Sequence, residues 1–378
     1  MKNLIKKLLS VRNRRKILRF LNKKWKAICA LLPLRNVVLF YSVRADGRLL
    51  ENAKAVYDAL DAKKIIFAHK LPHSVKIKPL AYLYLMTSKV IVTDDYVRYM
   101  RVIKLRKGQK LIQIWHACGA FKKFGLDAPS QLTPEEETAT HSQYSAVAVT
   151  AEKCRESYAG AFGISKEICL PLGLPRTDSL ISSAPEMRKN IFEKYPDLKG
   201  KKIYLYCPTF REENGKKVEY NPKINWAELS KSMNSDEAFI IRRHPLMDYR
   251  FENGECPNIL DLSTDSTLEL TAASDVIITD YSSVIYDATL LSVPSVFYCP
   301  DYKKYERGFY LDFPDGLPGE MITDASDLLE CIRKTAVNPP SEKIEKFRIE
   351  QLSACDGNST QRVVELIEKW MTKSVSFI

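Results

Sequence analysis

No acidic side chain occurs in the first 45 residues of this 378-residue chain, where 13 Lys and Arg are found; Asp46 is the first acid. The whole chain carries +12, yet beyond residue 45 it holds 45 basic against 46 acidic groups. The basic excess therefore belongs to a leader, and the body is close to neutral. Long hydrophobic runs are missing as well. The longest near the N-terminus, 27–34, has eight residues, against the roughly 20 that span a bilayer. No small-x-small cleavage pattern follows it, so neither a transmembrane anchor nor a secretory signal is expected. The nine cysteines are odd in number and dispersed, with no CxxC pair. That pattern argues against a disulfide framework or a zinc ribbon and for reduced thiols in a cytoplasmic protein. Also absent are GxGxxG, a P-loop, HExxH and a DxD pair after a strand. Hydride transfer, P-loop NTP hydrolysis and zinc hydrolysis thus lack support, and no metal or cofactor is expected.

What is present is ordinary in bulk: 45% hydrophobic and 28% charged residues with 14 Gly and 19 Pro, which excludes collagen-like, low-complexity or wholly disordered chains. The leader is patterned. Residues 1–32 lack Gly, Pro and acids, and Leu4, Leu8, Val11, Leu18, Trp25 and Cys29 recur at helical spacing among cations that include Lys6, Lys7, Arg14 and Arg15. A basic amphipathic helix over 1–33 suits an anionic membrane surface, with Lys6, Lys7, Arg14, Arg15 and Trp25 as contacts. Two other readings stay open, a helix packed on the body with a solvated basic face and nucleic-acid binding. No reader motif supports the latter, so no nucleic-acid partner is expected.

Downstream, short β-branched runs such as NVVLFYS (36–42) and KVIVTD (89–94) alternate with helical patterns, and the alternation restarts at 203–207 after a Pro- and Gly-containing stretch. Apolar strands alternating with helices imply parallel sheets covered on both faces. The expected architecture is α/β, two doubly wound domains facing a cleft: 34–180, a linker at 181–202, and 203–378 including a final helix. Ligands of such sheets bind beyond the carboxyl ends of strands, and four polar clusters stand there. His116 follows KLIQIW, Cys207–Arg211 (CPTFR) ends IYLYC, Arg242–Pro245 (RRHP) ends FII, and Thr279–Ser283 (TDYSS) ends VII. Ser282 and Ser283 open a helix expected at 284–291, a place where backbone N–H groups either take an ordinary Ser cap or hold a phosphate. Arg307 could add a bidentate phosphate partner. His116 and His244, at strand ends in different halves, could line one cleft, where imidazole moves protons or stabilises phosphate charge. His69, His73 and His141 read as structural or solvated.

At these residues, over about 42–364, the chain resembles the CDP-glycerol glycerophosphotransferase family, the teichoic-acid primases and polymerases of Gram-positive bacteria. WHACGAFKKFG (115–125) is similar to that family's WHxxGxxKxxG, YCPTFR (206–211) to YxPTFR, and RRHP (242–245) to RxHP. DVIITDYSS (275–283), with Asp287, Tyr298, Asp301 and 307–310, resembles its most specific signature. Cys118, Phe121 and Cys207 depart from the pattern without removing a candidate catalytic group. The resemblance implies a GT-B fold and transfer of phosphoglycerol from CDP-glycerol, or of the ribitol analogue, to a polyprenyl-diphosphate-linked acceptor at the cytoplasmic membrane face, with release of CMP. It implies His116 as general base and His244 as diphosphate partner. Thr209, Arg211, Arg243, Asp280, Ser282, Ser283 and Arg307 would hold the donor, and Gly119 and Lys122 would lie on the acceptor side. Without the large N-terminal domain of the long polymerases, the chain reads as a short, primase-like form. Alternatives are a GT-B transferase of nucleotide sugars and a non-catalytic membrane adaptor on the same fold.

Overall fold

A computed structural model describes residues 24–372, except 26, 71–78, 102, 129–131, 214–215, 219, 245–246, 248–250, 252–255 and 306–307. The first unit is a six-stranded parallel sheet: β1 (Arg35–Ser42), β2 (Lys64–Ala68), β3 (Ser88–Thr93), β4 (Lys110–Gln113), β5 (Ala146–Ala148) and β6 (Cys169–Leu170), in the order β2-β1-β3-β4-β5-β6. The second begins with β7 (Lys202–Cys207), from which a hairpin of β8 (Arg211–Glu213) and β9 (Lys216–Val218) projects. It continues through β10 (Glu237–Ile241), β11 (Ile259–Asp261), β12 (Val276–Thr279), β13 (Ser295–Tyr298) and β14 (Glu320–Ile322). Its six-stranded parallel sheet runs β11-β10-β7-β12-β13-β14, the doubly wound order whose direction reverses between β7 and β12.

The strands are apolar throughout because both faces are covered. In β1, Leu39 and Tyr41 enter one core with Ile91, Leu111 and Val147, whereas Val38 and Phe40 enter the opposite core with Val90, Ile112 and Ala146. The second sheet alternates likewise, with Tyr204, Tyr206 and Ile278 on one face and Ile203, Leu205 and Ile277 on the other. A further cluster joins the two units and includes Cys118 and Phe121 from the first, Tyr281 and Tyr286 from the second, and Phe347 and Cys355 near the C-terminus. All nine cysteines are buried and unbridged.

The structure adds detail to several expectations. The stretch read as a linker, 181–202, is mostly helix, the C-terminal part of Pro175–Lys194. Pro175 sits in the first turn, where its missing N–H costs nothing, and the interior Pro185 is exposed, so the carbonyl it leaves unbonded opens to solvent. The final helix, Ser359–Thr372, was assigned to the second domain, but Val363, Val364 and Ile367 pack into the first sheet's core. The Asp178 carboxylate accepts from the N–H groups of Ser359 and Thr360, which caps that helix from the connecting helix. Strands β11 and β14, each three residues long, were too short to stand out. The basic helix expected at 1–33 lies largely outside the described residues, with Lys6, Lys7, Arg14 and Arg15. Trp25 is described and has protein partners. Its indole Nε1 donates to the Pro79 carbonyl at 2.8 Å, it packs on the first core, and nearby Cys29 is fully buried. Among the described residues, no helix is long and apolar enough to cross a membrane.

Candidate active site

The carboxyl ends of the two sheets face each other across a cleft of about 280 Å³ lined by residues of both units. Seven expected residues reach it: His116, Gly119 and Lys122 from the first unit, and Thr209, His244, Ser282 and Ser283 from the second. Arg211, Arg243 and Asp280 do not line it, and Arg307 lies outside the described residues.

The His116 turn is built from buried polar contacts. Just before it, Trp115 adopts φ +47°, a left-handed conformation that costs a non-glycine residue roughly 1–2 kcal/mol. The turn is pinned by the Gln113 side chain, which accepts from the Trp115 N–H at 3.0 Å. Asn52 donates to the Trp115 carbonyl at 2.9 Å and accepts from the Arg176 N–H at 2.8 Å. The Trp115 indole stacks on the His116 ring at 4.3 Å. His116 Nδ1 lies 3.3 Å from the Asp94 carbonyl oxygen. A carbonyl only accepts, so Nδ1 carries the hydrogen and Nε2 keeps its lone pair. Burial lowers the His116 pKa, while Asp95 opposes that shift, so the neutral, proton-accepting form is favoured at neutral pH. The neighbouring Asp94 carboxyl is pushed up to about 6 by burial, against a Ser42 hydroxyl that donates to it. His244 faces the cleft from the end of β10, its ring 4.8 Å from Phe210.

At the β7/β12 reversal the motif residues form two layers. In the lower one, the Asp280 carboxylate accepts from the Thr209 N–H and hydroxyl and pairs with Arg211 Nη1 at 2.8 Å. The same guanidinium grips Asp301 through two bonds of 2.6 and 3.1 Å and lies 4.0 Å from the Tyr220 ring centroid. Arg211 is 8% exposed. Expected to cradle phosphate, it is placed here to tie strand ends together through Asp280, Asp301 and the Thr209 carbonyl. Arg243 turns to Asp261 at the end of β11, with a 3.0 Å bond. In the upper layer, the Ser282 hydroxyl accepts from the Val284 N–H at 3.3 Å. Ser283 makes no capping bond and is exposed, so the plain Ser-cap reading fails for it.

The units are strapped together beside the cleft. Lys122 bridges Phe309 in antiparallel fashion, Lys123 N–H donates to the Gly308 carbonyl, and Tyr310 N–H donates to the Phe121 carbonyl. Gly119 has φ +60°, and a Cβ there would sit 2.1 Å from Tyr286 Cε1, so it is a close-packing glycine between units. Arg176 and Asp287 form a cross-unit ion pair at 2.8 Å. Asp94, Asp95 and Tyr286 were not singled out from sequence. The first two stand directly after β3 and satisfy the same strand-end rule that flagged His116. His141 is buried against Phe162 and bonded to Tyr144, a structural role. Among the described residues, no group of three or more His, Cys, Asp or Glu side chains is placed to hold a metal.

The profile of the CDP-Glycerol:Poly(glycerophosphate) glycerophosphotransferase family matches residues 29–369. Over 370 residues the chain is 32% identical to the teichoic acid ribitol-phosphate primase of Bacillus spizizenii, covering 92% of this chain and 95% of that protein. Over 340 residues it is 30% identical to the teichoic acid glycerol-phosphate primase of Bacillus subtilis, covering 87% and 85%. In three dimensions it matches the wall teichoic acid polymerase TagF with a TM-score of 0.75 at 23% identity, over the whole of both chains.

Proposed function

Since the chain belongs to the CDP-glycerol:poly(glycerophosphate) glycerophosphotransferase family, we propose that it transfers glycerol phosphate from CDP-glycerol to a hydroxyl of a polyprenyl-diphosphate-linked acceptor or a growing teichoic-acid-type chain, releasing CMP. The observation that carries this reading is the meeting of His116 and His244, from opposite sheets, in one cleft with Ser282 and Ser283. His116 Nε2 takes the acceptor hydroxyl proton. The oxygen attacks the β-phosphorus, and the bond from that phosphorus to the CMP oxygen breaks. His244 hydrogen-bonds the diphosphate and meets charge developing on it, with Ser282 and Ser283 as further donors. Thr209, Arg211 and Asp280 hold the loops in place, Lys122 borders the acceptor side, and Arg307 remains a phosphate candidate by motif alone. In phosphoryl-type transfer, positioning and charge neutralisation carry most of the catalysis.

A second reading keeps the chemistry and exchanges glycerol for ribitol, favoured by the match to the ribitol-phosphate primase. Thermal-shift titration with CDP-glycerol, CDP-ribitol and a UDP-sugar separates these, since the preferred donor raises apparent stability most. In this reading the enzyme works peripherally on the cytoplasmic face of the cell membrane, which the lipid-linked acceptor and the cationic leader support. The deciding experiment is CMP release from the preferred donor with a synthetic polyprenyl-diphosphate acceptor. His116→Ala and His244→Ala should each lose about 100-fold or more; near-normal release by both sinks the mechanism.

A further inference from the structure

We propose that Asp95 is a positioning residue for the reaction, its carboxylate flanking the Nδ1 edge of His116 and supporting the imidazolium that forms at Nε2. This inference rests on the reading of His116 as general base. Asp95 is held by the ends of two strands. Its Oδ1 accepts from the Tyr96 N–H at 2.6 Å, and its carbonyl accepts from Gln113 Nε2 at 3.0 Å. Oδ2 is left 3.9 Å from His116 Nδ1, at ion-pair distance. On the same edge the Asp94 carbonyl takes the Nδ1–H, and Trp115 covers one face of the ring. A base oriented by a third group is the general form of such sites, and catalytic contacts are often long before substrate arrives.

The remaining charges around His116 leave Asp95 dominant. Arg44, from the loop after β1, opposes protonation, whereas Glu51, at the start of the helix Glu51–Ala59, favours it. These two pair with each other at 2.9 Å and act in opposite senses. The Asp94 side chain turns to Ser42. When Nε2–H forms and the acceptor O–H breaks, the ring gains a full positive charge, and Asp95 is the carboxylate facing its other nitrogen. The proton then passes to solvent once CMP has left, which restores the neutral ring.

Asp95→Asn is the test, because the amide oxygen can still accept from the Tyr96 N–H while the NH2 group turns a donor toward Nδ1. The variant removes the negative charge beside the ring, while the Asp94 carbonyl still holds the Nδ1–H. Expected are a fall in kcat of about 100-fold, a donor KM within twofold, and movement of the acidic limb of the kcat profile to lower pH. The sign follows because a carboxylate stabilises imidazolium, so its removal lowers the histidine pKa. Nitrogen-15 NMR titration of the imidazole reports its protonation directly. Asp95→Ser, which also keeps a short acceptor for Tyr96, is read in the same way if the Asn variant is unstable. If His116→Ala abolishes CMP release but both Asp95 variants keep kcat and the acidic limb unchanged, the inference is overturned. If His116→Ala itself stays active, the base assignment fails first.

Discussion

Substituting Gly119 by Ala puts the inter-unit packing to a quantitative test. The added Cβ would meet Tyr286 Cε1, Cζ and the hydroxyl oxygen at 2.1, 2.2 and 2.5 Å. Neither side can step back cheaply. Tyr286 is fully buried and its ring stacks on Phe347 at 5.4 Å. The Gly119 N–H donates to the Thr150 hydroxyl at 2.9 Å, and its carbonyl accepts from the Tyr158 hydroxyl at 3.1 Å. Placing Ala at φ +60° costs about 1 kcal/mol, and overpacking a rigid core adds about 1–3 kcal/mol. A loss of about 3 kcal/mol in urea unfolding is expected, together with reduced CMP release, because the clash pries apart the halves that carry the two histidines. The cross-check is a double-mutant cycle. Tyr286→Ala alone should cost about 3–5 kcal/mol through its cavity. In that background Gly119→Ala should cost only its backbone share, leaving a coupling of about 2 kcal/mol. Costs that add within about 0.5 kcal/mol would refute the contact and with it the placement of the second unit against this loop.

Two other outcomes follow from the structure. Arg211→Ala leaves the Asp280 carboxylate buried without its cation and should cost about 3–5 kcal/mol in urea unfolding; unchanged stability with only a raised donor KM would make Arg211 a phosphate ligand after all. Removal of residues 1–23, which carry nine Lys and Arg and leave the packed Trp25 and Cys29 intact, should abolish binding to vesicles rich in anionic lipid and spare donor binding, at ~1 kcal/mol per surface cation; undiminished vesicle binding would locate the anchor elsewhere.

The sheets were legible because a fully buried parallel strand is a local signal: β-branched residues in short runs, with a cluster of polar side chains where the run stops. That rule led to His116, Thr209, His244 and Ser282, all of which reach the cleft. It would have led to Asp95 too, had the two acids that follow β3 been weighed like the histidine that follows β4. What stayed hidden depends on partners distant in sequence. Arg211 reads as a free cation until Asp280 and Asp301, 69 and 90 positions away, are seen to occupy it. The final helix carries an amphipathic pattern that does not say which sheet it will cover, and it covers the first. Trp25 sits in a pattern equally suited to a membrane and to a protein surface, and here its indole bonds the Pro79 carbonyl and packs, half-buried, on the first core.

The two layers at the site divide the motif residues by the work they do. Asp280, Thr209 and Arg211 lock the ends of β7 and β12, so they fix where Ser282 and Ser283 stand, and of the three Thr209 lines the cleft. His116 is held in a corresponding way, but its supports cross between units. Asp287, on the helix Val284–Leu290, pairs with Arg176. The Arg176 N–H is held by Asn52, and Asn52 holds the Trp115 carbonyl. The strained turn before the histidine therefore sits at the end of a bonded chain that begins beside Ser282 and Ser283. An ion pair this buried contributes little net stability against an apolar substitute, so its value lies in geometry. Docking the second unit completes the support for the His116 turn, which ties the presentation of His116 to the arrangement that also brings His244 to the cleft.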